Sequence, residues 1–183
     1  MSKVYLFYAP GFEEVEALTV VDLLRRGGVE CETVSIMGDY DVTSSHGITI
    51  RADRLFEEKD LSDADMLIMP GGIPGTPNLK AHAGLEKLIR QYAEEGKYLA
   101  AVCAAPTIYG EMGLLQGKKA TCYPGMEEGL VGATPLTDSV VCDGQFITSR
   151  GMGTCIDFGL VLLEKLTDKA TADEIGKKIV YYV

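Results

Sequence analysis

Uninterrupted apolar runs alternate along this chain with longer stretches in which apolar residues recur every three or four positions. The runs Lys3–Tyr8, Met66–Met69 and Tyr98–Val102 contain few polar residues, as expected of strands buried on both faces of a parallel sheet. Residues 13–26 and 79–95 show helical spacing and are followed by glycine, which predicts amphipathic helices. Strands and helices in this alternation predict a mostly parallel sheet with helices on both faces, a doubly wound α/β fold.

Weaker patterns fill the rest of the chain. Ile48 and Ile50, each with polar neighbours, predict a short strand that pairs with residues near Val42. Asp143 and Gly144 form a hairpin-turn signal. We expect a single domain, residues 1–183, with strands one, three and four adjacent in a flavodoxin-like order. The remaining predicted elements are strands at 30–36, 120–123, 139–142 and 145–148 and helices at 104–112, 154–166 and 170–179.

Cys103 stands directly after the third of these apolar runs, at the carboxyl end where open α/β sheets bind ligands. Ala101 and Ala105 flank it two residues away on either side, the small-x-nucleophile-x-small pattern of a nucleophile elbow. The dipole at the N-terminus of the helix at 104–112 is expected to stabilise the thiolate form of Cys103. The alternative is a buried cysteine that serves only as a small hydrophobe; these residues alone leave both open.

Two loops are expected at the same sheet edge. Glu16 lies one helical turn past Phe12 and is placed to aim a carboxyl at Cys103, although it also fits a solvated first turn that complements the helix dipole. Gly71 and Gly72 are either a tight turn or a backbone N–H donor for an oxyanion, paired with the N–H of residue 104. Both alternatives stay open at this point.

Composition excludes several classes of function. The 27 acidic residues outnumber the 17 basic ones, and the formal net charge of -10 repels nucleic acids and anionic membranes. Five cysteines without a C-x-x-C pair argue against a disulfide framework or a zinc site. His46 and His82 are far apart, and Ile156 breaks a G-x-G-x-x-G pattern, so neither a metal nor a dinucleotide cofactor is expected. The first apolar run is followed by acidic residues, which no signal peptide has, and we expect a cytoplasmic protein.

Five motifs together resemble the ThiJ/PfpI superfamily, and within it the branch of the human parkinsonism-associated protein and its bacterial relatives. The resemblance spans nearly the whole chain and implies a glutamine amidotransferase-like fold. The motifs are GFEEVEA at 11–17, DLLRRGG at 22–28, MPGGIPG at 69–75, AAVCAAPTI at 100–108 and ITSRGMGT at 147–154.

By position, the resemblance assigns the oxidisable nucleophile to Cys103 and the facing carboxylic acid to Glu16. It assigns the backbone donors to Gly72 and Ala104. The possible pocket residues are Tyr123, Arg26 and Gly71.

Two residues depart from the family pattern. Ala104 stands where protease-like members have histidine, so a Cys-His peptidase is not supported. Tyr123, followed by proline, stands where many closer relatives have a His-Pro step, and tyrosine is a poor base at neutral pH.

The implied activity is that of a cofactor-free glyoxalase or deglycase, which acts on small reactive dicarbonyls or on glycated protein during oxidative stress. The alternative is a redox sensor or holdase chaperone without turnover. We expect Cys103 to be oxidised to a sulfinic acid that a protonated Glu16 stabilises. The resemblance also implies a homodimer through the first helix and the neighbouring hairpin, with Arg26, His46 and Arg51 near that surface.

Overall fold

The fold is known from a computed structural model that describes residues 1–181. Tyr182 and Val183, the last residues of the predicted domain, lie outside the described residues. The strands of the described chain are β1 Lys3–Tyr8, β2 Glu30–Ser35, β3 Asp41–Thr43, β4 Thr49–Arg51, β5 Arg54–Leu55, β6 Met66–Met69, β7 Tyr98–Val102, β8 Lys119–Ala120, β9 Thr134–Pro135, β10 Val140–Asp143 and β11 Phe146–Ser149. The helices are α1 Glu14–Arg26, α2 Gly75–Ala81, α3 Ala83–Glu95, α4 Pro106–Glu111, α5 Cys155–Leu166 and α6 Lys169–Lys178.

The central sheet runs in the order β10-β11-β7-β6-β1-β2-β5. Its five central strands, taken in chain order, follow the flavodoxin-like sequence 2-1-3-4-5, so the predicted topology is confirmed. Within this sheet of the described chain, only β10 is antiparallel to its neighbour, and it turns at Asp143 and Gly144 as predicted. Since β1, β6, β7 and β11 are parallel neighbours, their carboxyl ends meet at one edge of the sheet.

Alternate side chains of the buried strands pack into two separate cores, one on each face. Leu6, Met66 and Ala100 face the layer formed by α1, α5 and α6. Phe7 and Leu67 face the layer formed by α3 and α4. The doubly wound α/β prediction is therefore confirmed. Successive side chains of a strand point to opposite faces, and both faces are covered by helices, which explains why the whole strand is apolar.

Helix α1 is held against α5 by small residues. A Cβ on Gly159 would lie 2.5 Å from Leu23 Cδ1, and a Cβ on Gly27 would overlap Leu163. A larger residue at either glycine would therefore require Leu23 or Leu163 to change its side-chain conformation. The two leucines occupy the space that the glycines leave, and α1 packs closely on α5.

Three predicted elements differ from the structure. The helix at 79–95 is divided at His82, whose Nδ1 accepts the Leu85 N–H at 3.0 Å and caps α3. The helix at 104–112 begins later, at Pro106, since proline suits a first helical turn and the two preceding residues complete the elbow turn. The strand at 120–123 is reduced to β8, because the Thr121 N–H donates to Thr148 Oγ1 at 2.9 Å. Within residues 1–181, every helix is too short or too polar to span a bilayer.

Candidate active site

Cys103 forms a sharp elbow at the end of β7. Its φ of 63° lies in the left-handed region, which costs a non-glycine residue about 1–3 kcal/mol and persists where the surroundings enforce it. The Cys103 N–H donates to the Ser149 carbonyl at 3.0 Å, and the Cys103 carbonyl accepts the Tyr123 N–H at 2.8 Å. Neighbouring strand and loop thus hold the thiol at the sheet edge, in the predicted elbow.

Glu16 reaches this thiol from the first turn of α1. The turn is capped by Glu13, whose Oε2 accepts the Glu16 N–H at 2.7 Å. The Glu16 residue is only 1% exposed, so the solvated-turn alternative is wrong. Its Oε2 accepts the Gly71 N–H at 2.9 Å, and the carboxyl group also interacts with the Cys103 side chain. Burial raises the pKa of Glu16 to about 7, and the charge of Glu13 adds to the rise.

Gly71 and Gly72 let the loop after β6 touch both groups. A Cβ on Gly71 would lie 2.6 Å from Cys103 Cβ and 2.8 Å from Glu16 Oε2. Gly72 has a φ of 97°, a conformation that favours glycine. The two glycines therefore form a tight turn and also bring backbone N–H groups to the thiol and the carboxyl.

The pKa of Cys103 is raised, contrary to the lowering expected from its place in the sequence. Burial raises it to about 12, and the charge of Glu16 contributes. Hydrogen bonds from the backbone N–H groups of Ala104 and Gly72 oppose this rise. Because α4 begins three residues beyond the thiol, its dipole is further away than predicted. The carboxyl therefore loses its proton before the thiol does, and Glu16 becomes a base beside a protonated Cys103.

Tyr123 and Gly151 bound the open side of the site. A Cβ on Gly151 would lie 3.6 Å from the Tyr123 ring carbon Cδ2 and 3.9 Å from Glu16 Oε1. Tyr123 is 52% exposed, so this side opens to solvent. Gly151 lies in the ITSRGMGT motif and was not predicted as a site residue. Its position just after β11 could have indicated that it lies at the site, because β11 is predicted in the same parallel sheet as β7.

Arg26, which the resemblance assigns to the pocket, lies away from Cys103 within this chain. It ends α1, ten residues after Glu16, which at about 1.5 Å per residue places it roughly 15 Å away. There Arg26 Nε pairs with Asp22 Oδ2 at 2.5 Å. The other pocket predictions, Gly71 and Tyr123, are placed next to Cys103.

His46 lies near two carboxylates, whereas the sequence analysis treated it as isolated from other metal-binding side chains. Its Nδ1 is 2.9 Å from Glu14 Oε1, and ligand atoms of Glu13, Glu14 and His46 lie within 4.8 Å of one another. A ring nitrogen and carboxylates at this spacing are of the kind that bind divalent cations. Here Glu13 caps α1 and Glu14 pairs with the imidazole, so both carboxylates already have structural partners.

Cys155 lies in the core beneath the site. Its thiol donates to the Gly151 carbonyl at 3.3 Å, and burial raises its pKa, with contributions from the charges of Glu16 and Glu13. It is 1% exposed. Cys155 therefore supports the Gly151 turn from within.

Comparisons with known proteins identify the family and the fold of this chain. The model of the DJ-1/PfpI family matches residues 2–165. The chain is 40% identical to protein DJ-1 homolog B of Arabidopsis thaliana over 97% of its own length but spans only 41% of that relative. It is 29% identical to a protein named as a deglycase in Pyrococcus abyssi, covering 82% of this chain and 91% of that one. The solved structure of oxidised Toxoplasma gondii DJ-1 superposes with a TM-score of 0.96 at 32% identity and full coverage of both chains.

Proposed function

The chain belongs to the DJ-1/PfpI family, and from that premise we propose that it converts small reactive dicarbonyls, or their adducts on proteins, by glyoxalase- or deglycase-like chemistry in the cytoplasm. The observation that supports this most directly is the pair formed by Cys103 and Glu16. A thiol on an elbow lies next to a buried carboxyl whose pKa is about 7. A base with a pKa near the working pH is suited to proton transfer. The name of the Pyrococcus abyssi relative points to the same class of substrate.

The first step is addition of the Cys103 sulfur to an aldehyde. Ionised Glu16 accepts the thiol proton as the sulfur–carbon bond forms. The carbonyl π electrons move to oxygen, and the Gly72 and Ala104 N–H groups are placed to stabilise that oxyanion. Glu16 then returns the proton to the oxygen. The product is a neutral hemithioacetal, and Glu16 is again a carboxylate.

The second step moves a proton between adjacent carbons. Glu16 removes the proton from the carbon bonded to sulfur, which leaves an enediolate, and delivers it to the neighbouring carbonyl carbon. The hydroxyl proton of the first carbon moves to the oxygen of the second carbon in the same conversion. The first carbon is thereby oxidised to a thioester and the second reduced to an alcohol, so no outside oxidant is needed. Water then cleaves the sulfur–carbon bond, which releases the 2-hydroxy acid and restores the thiol.

The test is conversion of methylglyoxal to lactate by the purified protein without glutathione. Cys103→Ala is expected to abolish turnover, and Glu16→Gln to lower kcat by about 10²–10⁴-fold, the usual contribution of a general acid–base group. Cys142→Ala is the matched control, because Cys142 is an exposed cysteine on the edge strand β10. A wild-type rate equal to that of Cys103→Ala would contradict the proposal.

A second candidate is a redox sensor or holdase chaperone in which Cys103 is oxidised and not turned over. In its favour, the partly exposed thiol faces a carboxyl and two backbone N–H groups that would hydrogen-bond added oxygens. Client proteins would then be protected from aggregation only after peroxide treatment. Equal protection before and after peroxide would remove this candidate.

We also propose a homodimer through α1 and the β3–β4 hairpin. Val15, Leu18 and Ile48 are 42%, 41% and 51% exposed. The hairpin loop packs on the start of α1, where the Ser45 N–H donates to the Phe12 carbonyl at 2.8 Å. Apolar side chains from both elements thus contribute to one face, and a two-fold contact would bury them.

A further inference from the structure

A cavity of about 260 Å³ lies between α2, α3 and α4. It shares no residue with the elbow site in the described part of the chain. Its apolar lining consists of Leu79, Ile89, Ile108 and Met112. The first three are at most 2% exposed, so they form the inner wall. At about 30 Å³ for each molecule of liquid water, the volume is that of roughly nine waters, and a ligand of about nine non-hydrogen atoms fits.

Four charged side chains surround the opening of this cavity as two ion pairs. Lys80 at the end of α2 pairs with Glu111 at the end of α4. Arg90 pairs with Glu86, one helical turn earlier on α3, at 2.8 Å. The lining is therefore neutral, although the chain as a whole has a net charge of -10. The four side chains are between 37% and 52% exposed. Ion pairs with this exposure contribute little to stability, so their exchange for the charges of a ligand costs little.

Arg90 spans the edge of the cavity between α3 and α4. Its Nε and Nη2 donate to Glu86 Oε1 at 3.1 and 2.8 Å, and its Nη1 donates to the Met112 carbonyl at 3.4 Å. Within residues 1–181, Glu86 Oε2 accepts no hydrogen bond. The guanidinium group is thus held where it meets a ligand carboxylate, and Glu86 Oε2 is available to an ammonium group.

From this arrangement we propose that the cavity binds a free α-amino acid with an aliphatic side chain. Its carboxylate pairs with Lys80 and Arg90. Its ammonium group pairs with Glu86 and Glu111, and its side chain lies on the aliphatic inner wall. A ligand with a single charge displaces one rim side chain from its ion pair and leaves that side chain without a partner. A zwitterion provides a partner for both members of the pair, and the rim therefore selects it. This inference is independent of the function proposed above.

The first test titrates the isotope-labelled full chain by NMR with L-leucine and three analogues. Isocaproate lacks the ammonium group of leucine, isoamylamine lacks the carboxylate, and glycine lacks the side chain. Leucine is expected to shift the methyl resonances of Leu79, Ile89 and Ile108 until they saturate. It is expected to bind at least about tenfold more tightly than each analogue, the usual effect of losing one charge-assisted contact.

Three results of this titration would overturn the inference. They are an affinity for isocaproate or isoamylamine equal to that for leucine, shifts with leucine that do not saturate, and shifts that appear around Cys103 while those of the cavity methyl groups stay unchanged.

The second test measures the affinity for leucine in rim variants. Arg90→Gln and Glu86→Gln are each expected to weaken binding about tenfold. Lys87→Gln and Glu94→Gln are the matched controls, because they remove the same charges from exposed positions on α3 outside the cavity lining. These controls are expected to keep the wild-type affinity, and circular dichroism checks that all four variants are folded. Wild-type affinity in either rim variant would contradict the assigned contacts and overturn the inference.

Discussion

Replacing Glu16 by glutamine is expected to change how stability depends on pH. Burial raises the pKa of Glu16 from 4.5 to about 7, so the folded state holds a proton that the unfolded state has already lost between these values. A raised pKa contributes stability that is fully present below about pH 4.5 and is lost as the pH rises through about 7. At about 1.4 kcal/mol per pH unit the loss amounts to about 3 kcal/mol. Glutamine has nearly the same shape, retains a carbonyl oxygen for the Gly71 N–H and does not ionise.

The assay is urea unfolding of wild type and Glu16→Gln at several pH values from 4.5 to 8. The free energy of unfolding of wild type is expected to fall relative to the variant by about 3 kcal/mol across this range. Glu94→Gln is the control, because it removes the same charge from an exposed position on α3. A difference between wild type and Glu16→Gln that stays constant with pH would refute the argument that burial controls this carboxyl.

Four further predictions follow from the site and the surface. The kcat/KM for methylglyoxal should rise with pH around a midpoint near 7, because ionised Glu16 takes the thiol proton; a flat or falling pH profile would contradict this. Gly71→Ala should slow Cys103 alkylation and cost about 1–3 kcal/mol of stability by overpacking against Cys103. Denaturant unfolding measures the stability, with Gly153→Ala as the control. A Gly71→Ala variant with the wild-type alkylation rate and the wild-type stability would contradict this. Leu18→Asp should shift sedimentation at micromolar concentration from dimer to monomer, whereas Val131→Asp, at an equally exposed valine, should not; a wild type that sediments only as monomer would disprove the dimer. Mild peroxide should add two oxygens selectively at Cys103, because this thiol is partly exposed and has the Glu16 carboxylate beside it to accept its proton. Peptide mass mapping that finds all five cysteines equally oxidised, or a Cys103–Cys122 disulfide, would show this to be wrong.

The sheet could be predicted from the sequence because it depends on local patterns. Local patterns also indicated the central pair of the site, but they left the alternatives open until the resemblance to a family assigned both residues. Cys103 is marked by the apolar strand before it and by small neighbours, and Glu16 by its place in the first turn of α1. No local sequence pattern places Gly151 at the site, because it is brought there by the pairing of β11 with β7. That contact joins segments far apart in the chain.

The errors have the same origin. The helix division at His82 depends on one side-chain nitrogen that caps the next helix, which periodicity does not show. The pKa of Cys103 depends on burial and on the charge of Glu16, and these outweigh the backbone effects that a sequence indicates. The assignment of Arg26 to the pocket came from the resemblance alone, although the helical pattern of residues 13–26 places it at the opposite end of α1 from Glu16.

The close contact of α1 with α5 has a consequence for how the protein loses activity on heating. Glu16 is carried by a helix that packs on α5, where Leu23 lies over Gly159, and Cys103 follows a central strand. Backbone amides in such elements exchange with solvent mainly through global opening. Hydrogen exchange at the two positions and thermal inactivation should therefore follow the same transition, so that the centre keeps its geometry until the whole fold melts.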